Sequence, residues 1–129
     1  MNEIPELSDI IGIPFRQKGR DQNGFDCYGC AMEVSKRFGH DLPEVNYEVS
    51  DDKTFDEKYK SVISGLKGTL KRTRSPSPGD LVLFSCKGKM VHIGVCLIGD
   101  DFIHCNKYGV HVSKLSSFVG EYEVYKWSS

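Results

Sequence analysis

Residues 78–105, which read PGDLVLFSCKGKMVHIGVCLIGDDFIHC, decide the fold class of this chain. Three short apolar runs within the stretch, Leu81–Phe84, Val91–Ile98 and Phe102–Cys105, are typical of β-strands bounded by turn residues. The connections between them are short, and Gly99-Asp100-Asp101 is a turn. Because short turns join strands that run in opposite directions, we expect antiparallel neighbours.

A helix is predicted upstream of these strands, over Cys27–Phe38. Asp26 stands where a helix N-cap belongs, and Gly39 stands where a helix commonly ends. Charged residues occupy the face opposite the apolar stripe, so one side of the helix should be buried. The stripe consists of Cys27, Cys30, Ala31, Val34 and Phe38.

The remaining segments give weaker signals. Leu7, Ile10 and Ile11 have helical spacing, which predicts a short docking helix in the first ten residues. The range 12–24 reads as a loop, and Thr54–Leu66 could form a second helix. The range 69–79 is basic and then rich in Ser and Pro, so we expect a surface connection there.

Two further short strands are predicted at Tyr108–Val112 and Tyr122–Trp127. A helical first part followed by a run of strands indicates an α+β fold. We expect one domain over residues 1–129, with a helix packed on a curled antiparallel sheet of about five strands.

Composition excludes several classes of function. The chain has 129 residues, with 17 Lys and Arg against 18 Asp and Glu. This balance offers no basic field for nucleic acid or an anionic membrane. No apolar run is long enough to span a bilayer. The N-terminal MNEIPEL is acidic where a secretory signal needs positive charge, so we expect no signal peptide and synthesis in the cytoplasm.

The reactive candidates are Cys27, His92 and His104. Cys27 lies at the predicted first turn of the helix, where the helix dipole and backbone N–H groups stabilise a thiolate. Strand alternation puts His92, Gly94 and Cys96 on one face, and the missing side chain of Gly94 opens space there. A hairpin turn at Gly99-Asp100 would bring His92 and His104 onto neighbouring strands. A thiolate, a histidine base and a second residue that orients the base would form a nucleophilic site.

Other interpretations remain open from the residues alone. Cys27 could be an ordinary core cysteine, and His92 could be a core histidine with a structural partner. His40 and His111 look like surface histidines. Gly24 and Gly29, on either side of Cys27, could leave room for a substrate backbone.

The five cysteines allow two further chemistries. Their odd number, without an export signal, indicates free thiols in a reducing compartment. Cys27-Tyr28-Gly29-Cys30 is a C-x-x-C that could act as a thiol–disulfide couple, although the redox folds place that pair after a strand in a βαβ unit. A zinc site built from Cys27, Cys30, His92 and either His104 or Cys105 is the second alternative.

Several motifs resemble the NlpC family of cell-wall cysteine peptidases in order and spacing, over roughly residues 10–115. The N-terminal part of the match is Ile11-Gly12-Ile13-Pro14-Phe15, then Gly19-Arg20, then Gly24-Phe25-Asp26-Cys27-Tyr28-Gly29. The C-terminal part is Pro78-Gly79-Asp80-Leu81, then Val91-His92-Ile93-Gly94-Val95, then Phe102-Ile103-His104. The short length and the aromatic residue after the cysteine look most similar to the phage-tail and prophage branch of that family.

The resemblance implies a compact papain-like fold and a specific site. Cys27 would be the nucleophile, His92 the general base and His104 the residue that orients it. Backbone N–H groups near Cys27 would hold the oxyanion, with no metal and no cofactor. The implied oxyanion and substrate-binding residues are Phe15, Asp26, Tyr28 and Gly29, among which Asp26 fits a cap and loop anchor.

The implied activity is that of a cysteine endopeptidase acting on peptide stems of peptidoglycan through an acyl-enzyme. Partners could include phage-tail or secretion-system proteins, and the enzyme would reach the wall by a phage particle, lysis or a secretion device. Phe15 stands where the family has a tyrosine, and Tyr28 stands where it usually has a serine. These departures keep open a non-catalytic structural component of a tail or secretion assembly, or an acyltransferase or amide hydrolase acting on a different substrate.

Overall fold

The computed structural model describes residues 4–44 and 69–127. The second helix predicted at Thr54–Leu66 lies outside these residues. Within the two described ranges, no helix has the length and apolar character needed to cross a bilayer.

The described residues form an α+β fold dominated by one antiparallel sheet. The strands of this sheet are β3 (Leu70–Thr73), β4 (Leu81–Cys86), β5 (Lys89–Cys96), β6 (Asp101–Asn106), β7 (Gly109–Lys114) and β8 (Glu121–Trp127). These six strands pair in the order β3-β8-β4-β5-β6-β7, against about five predicted. The three strands of the deciding stretch are confirmed, since β4, β5 and β6 are sequential antiparallel neighbours.

The predicted helix is confirmed as α1 (Cys27–Arg37). Asp26 is its N-cap, and the Asp26 carboxylate accepts a hydrogen bond from the N–H of Gly29. At the other end, Gly39 has φ +91°, and the N–H groups of Gly39 and His40 bond to carbonyl oxygens of the last turn. Glycine adopts this left-handed conformation without a steric penalty, so it closes the helix.

Apolar side chains cover both faces of the sheet. On one face α1 packs against β5 and β6, which buries Val34 of the helix beside Ile93 and Val95. The other face carries a smaller cluster that includes Phe84 and Phe102. The sheet therefore holds α1 in a fixed position relative to the strands that carry His92 and His104.

Three predicted segments differ from the structure. Among the described residues 4–10, residues 8–10 form a turn in which the N–H of Ile10 donates to the carbonyl oxygen of Leu7, so the predicted docking helix was wrong. The range 12–24 contains β1 (Arg20–Asp21), which pairs with β2 (Gly24–Phe25). The basic connection contains β3, an edge strand paired with β8. Because its charged side chains are exposed at the sheet edge, β3 lacks the apolar run by which the other strands could be predicted.

Candidate active site

His92 and His104 face each other across two adjacent strands. Nε2 of His92 lies 2.7 Å from Nδ1 of His104, a hydrogen-bond distance. Gly94 allows β6 to pack closely against β5 beside this pair, because a Cβ there would lie 2.9 Å from the Phe102 ring and 3.1 Å from the carbonyl oxygen of Ile103. The predicted hairpin juxtaposition is confirmed, whereas the expectation that Gly94 opens space there was wrong, because β6 fills that space.

The hydrogen-bonded series continues beyond the two histidines to Ser113 on β7. Nε2 of His104 lies 2.9 Å from Oγ of Ser113. The His104 ring also packs against Phe102 and His111, each with ring centroids 4.4 Å apart. His104 is therefore held at both ring nitrogens and on its faces.

Burial keeps both imidazoles in the neutral form. It lowers the pKa of His92 to about 4, and the nearby His111 lowers it further in the same direction. Burial lowers the pKa of His104 to about 3, with smaller contributions from His92 and His111. A neutral imidazole can accept a proton, so His92 is in the form that a general base needs near neutral pH.

Cys27 is the first residue of α1 and lies at the positive end of the helix dipole. Its side chain is 7% exposed, whereas Cys30 and Cys105 are fully buried. Burial raises the pKa of the Cys30 thiol well above its ordinary range and that of Cys105 to about 11, so both stay protonated. Only a thiolate is a good nucleophile, so the protonated Cys30 and Cys105 are poor candidates for that role.

The structure places Cys27 and the histidines on packed elements. Cys27 belongs to the apolar cluster between α1 and the sheet. The His92 ring lies beside that of Phe84 on β4, and the His104 ring lies beside that of Phe102 on β6. The helix that begins at Cys27 thus packs directly on the two strands that carry the histidine pair.

Asp26 anchors the loop that enters α1. Besides the capping hydrogen bond from the N–H of Gly29, its carboxylate accepts hydrogen bonds from Nη1 of Arg20 at 2.7 Å and from the N–H of Lys18 at 3.2 Å. Arg20 also pairs with Glu44. Burial raises the pKa of Asp26, while these donors act in the opposite direction. The expected cap and loop anchor is confirmed.

The glycines beside Cys27 serve chain packing. A Cβ on Gly29 would lie 2.1 Å from the carbonyl oxygen of Gly19, and one on Gly24 would lie 2.4 Å from Cβ of Arg16. The expectation that these glycines leave room for a substrate backbone was wrong, because the chain itself fills that space.

The two aromatic candidates occupy different environments. The Tyr28 ring is fully buried, and its hydroxyl donates to the carbonyl oxygen of Pro43 at 2.6 Å. Phe15 is 40% exposed and forms a bridge with Phe25, two residues before Cys27. Phe15 therefore presents an apolar surface near the start of α1, whereas the Tyr28 side chain supports the fold.

Comparison with known proteins identifies the family. The model of the NlpC/P60 family matches residues 12–127, which is most of the chain. The chain belongs to the NlpC/P60 family. Two solved structures share its fold, the NlpC/p60 domain of peptidoglycan hydrolase SagA and an NlpC/P60 family protein from Bacillus cereus ATCC 10987. The first has a TM-score of 0.60 at 24% identity over 88% of this chain and 87% of that one. The second has a TM-score of 0.62 at 20% identity over 97% of this chain and 41% of that one.

Two sequence relatives of this NlpC/P60 chain carry functional names. It is 28% identical over 115 residues to the probable peptidoglycan endopeptidase LytE of Bacillus subtilis, covering 88% of this chain and 29% of LytE. It is also 28% identical over 115 residues to the murein DD-endopeptidase MepS/murein LD-carboxypeptidase of Escherichia coli K12, covering 88% of this chain and 53% of that protein. The chain therefore spans about half or less of each relative's length.

The alternatives that the cysteines left open find little support in this NlpC/P60 fold. The C-x-x-C at the start of α1 follows an antiparallel hairpin instead of the strand of a βαβ unit, which is where the redox folds place such a pair. Among residues 4–44 and 69–127, no group of three Cys, His, Asp or Glu side chains is placed to hold a metal ion.

Two histidine predictions for the NlpC/P60 chain were wrong, and one residue was missed. His40 stacks on Trp127 with ring centroids 4.6 Å apart, and His111 packs on His104, so neither is a plain surface histidine. Ser113 went unnoticed, since its contact with His104 depends on how β6 and β7 pair. The available signal was strand alternation, which puts Ser113 of β7 on the same face of the sheet as His104 of the neighbouring strand β6.

Proposed function

We propose that this chain is a cysteine endopeptidase that cleaves peptide stems of peptidoglycan. The observation that carries the proposal is the contact between His92 and His104 on strands packed against the helix that Cys27 begins. The names of LytE and MepS, both endopeptidases, support the same substrate class.

The reaction begins at the sulfur of Cys27. His92 takes the thiol proton at Nδ1, and Sγ of Cys27 attacks the carbonyl carbon of the scissile amide. Backbone N–H groups near Cys27 hold the oxyanion of the tetrahedral intermediate. His92 then gives its proton to the leaving amine nitrogen, and a thioester remains on Cys27. Water, deprotonated by His92, attacks the thioester and releases the carboxylate product and the Cys27 thiol.

His104 orients the base during both half-reactions. Its Nδ1 meets Nε2 of His92. His92 can therefore donate at Nε2 while it uses Nδ1 to collect the proton from Cys27. In nucleophilic triads the third residue likewise binds one ring nitrogen of the histidine base, so that the other nitrogen faces the nucleophile.

Phe15 and Asp26 support the site in different ways. The exposed ring of Phe15 gives the stem peptide an apolar contact but no hydroxyl donor. Asp26 fixes the loop at the N-terminus of α1, and thereby the position of Cys27. Gly29 lets the Gly19 carbonyl pack against the same turn, and the Tyr28 hydroxyl ties that turn to the carbonyl oxygen of Pro43.

The enzyme would work on the cell wall as a phage- or prophage-related protein. It would be synthesised in the cytoplasm and delivered to the wall by a phage particle, by lysis or by a secretion device. Its partners would then be the proteins of the phage tail or of the secretion device. Phe15 favours one second candidate, a non-catalytic component of such an assembly that retains the fold, because Phe15 lacks the hydroxyl of the family tyrosine.

Digestion of soluble stem peptides, followed by mass spectrometry, tests the proposal. Wild type should release a new fragment whose mass names the cleaved bond, and the Cys27→Ala variant should release none. Cys86→Ala is the matched control, because Cys86 is an exposed cysteine at the end of β4. Hydrolysis that survives in Cys27→Ala, or its absence in wild type with every stem tested, would contradict the proposal.

A further inference from the structure

The two hydrogen bonds of His104 belong to a series in which each ring nitrogen either donates or accepts, but not both. Nε2 of His92 meets Nδ1 of His104, and Nε2 of His104 meets Oγ of Ser113. A neutral imidazole carries one N–H and one acceptor nitrogen, so the donor directions along the series are linked.

Two directions are consistent with these contacts. In the first, His92 donates from Nε2 to His104, and His104 donates from Nε2 to the hydroxyl oxygen of Ser113. In the second, Ser113 donates to His104, and His104 donates from Nδ1 to His92. The second direction leaves the proton of neutral His92 on Nδ1, the nitrogen that a base would need unprotonated.

Protonation of His92 leaves only the first direction. A His92 imidazolium donates at both nitrogens, so Nδ1 of His104 must accept and the neutral His104 must carry its proton on Nε2. Oγ of Ser113 is then the acceptor for that proton. His104 is only 7% exposed, so water has little access to replace the lost acceptor.

We infer that Ser113 is a positioning residue, whose hydroxyl oxygen accepts the Nε2–H of His104 and thereby fixes the tautomer that allows His92 to act as a base. The effect of Ser113 on catalysis rests on the proposed function, whereas the tautomer of His104 can be observed whether or not the protein is active. Packing of the His104 ring between Phe102 and His111 holds the ring plane, and Ser113 selects where its proton resides.

An isosteric pair of variants separates this role from a structural one. Ser113→Thr and Ser113→Val have the same shape and both suit a β-strand, but only threonine keeps the hydroxyl. Val112→Ala is the control, because Val112 is 44% exposed and its strand partner is Ile103, on the other face of the sheet.

Long-range ¹H–¹⁵N spectra of ¹⁵N-labelled histidines in the full chain read the tautomers directly. At pH 7 we expect His104 of wild type, Ser113→Thr and Val112→Ala to be protonated at Nε2, and His104 of Ser113→Val to be a mixture of tautomers. Protonation of His104 at Nδ1 in wild type, or an unchanged tautomer in Ser113→Val, would overturn the inference.

Stem-peptide kinetics give the second readout. Ser113→Val should lower kcat about three- to tenfold with KM unchanged, the loss expected for one hydrogen bond, and Ser113→Thr should restore it. Equal kcat values for the valine and threonine variants would overturn the catalytic consequence. A wild type that cleaves nothing would instead reject the proposed function, while the spectra would still decide the tautomer.

Discussion

Nε2 of His92 and Nδ1 of His104 lie 2.7 Å apart across β5 and β6, and both rings are neutral because burial lowers their pKa values. In the proposed reaction, this neutral pair supplies a base, His92, and the residue that orients it, His104. Cys27, at the start of the helix packed on the same strands, supplies the matching nucleophile in the proposed reaction.

Removal of the base should be the most costly change at the pair. His92→Ala should lower kcat for stem peptides by about 10²- to 10⁴-fold, the range for loss of a general base. Steady-state kinetics check this against His40→Ala, since His40 stacks on Trp127 in the cluster on the helix side of the sheet. Comparable losses in both variants would show that His92 acts through the fold.

The close packing of β5 against β6 should depend on Gly94. In Gly94→Ala the new methyl group would lie 2.9 Å from the Phe102 ring and 3.1 Å from the carbonyl oxygen of Ile103. We expect the free energy of unfolding to fall by about 1–3 kcal/mol through overpacking. Urea denaturation measures the change. Full stability with an intact rate of hydrolysis would show that the strands adjust without cost.

The cap of α1 should contribute measurable stability. Asp26→Ala removes the acceptor for the N–H of Gly29 and the partner of Arg20, so we expect a loss of about 2 kcal/mol. Asp26→Asn keeps an oxygen that can accept from Gly29, and it should lose less. Urea midpoints decide the order, and equal losses in the two variants would assign the effect to the ion pair alone.

Stability should fall with acidification because the histidines are buried in the neutral form. Burial lowers the pKa of His92 from 6.5 to about 4 and that of His104 to about 3. Below pH 6.5 the unfolded chain therefore binds protons that the folded chain does not, and the free energy of unfolding decreases towards pH 4. Above pH 6.5 neither state is protonated at these groups, so this effect is absent.

Urea midpoints at pH 7.5, 5.5 and 4.5 measure that loss. His104→Phe removes one of the two groups, and it should lose less stability than wild type between pH 7.5 and pH 4.5. Parallel losses in the two proteins would show that other groups dominate the acid sensitivity.

The central strands and α1 could be predicted because their signals are local. Apolar runs between turns mark β4, β5 and β6, and Asp26 and Gly39 mark the ends of α1 by cap chemistry. The prediction that all of residues 1–129 form one domain stays a prediction. The docking helix failed because Gly12, at φ +91°, belongs to a turn that spacing alone does not reveal.

The site was only partly readable from sequence. His92 and His104 could be paired because one short turn joins their strands. The role of Ser113 and the packing around Gly29 could not be predicted, since they depend on strand register and on loop packing. The stacking of His40 on Trp127 could not either, since it joins segments distant in sequence. The tight packing of Gly19 against Gly29 leaves no trace in residue spacing.

Site-mapped alkylation with iodoacetamide tests the central claim most directly, in a Cys86→Ala background that removes the exposed thiol. Stem-peptide hydrolysis and the modified fraction of each cysteine are followed in the same samples at pH 7. We predict that Cys27 reacts first and that activity is lost in proportion to its modification, while Cys30 and Cys105 stay unmodified. Full hydrolytic activity in protein fully alkylated at Cys27 would contradict the account.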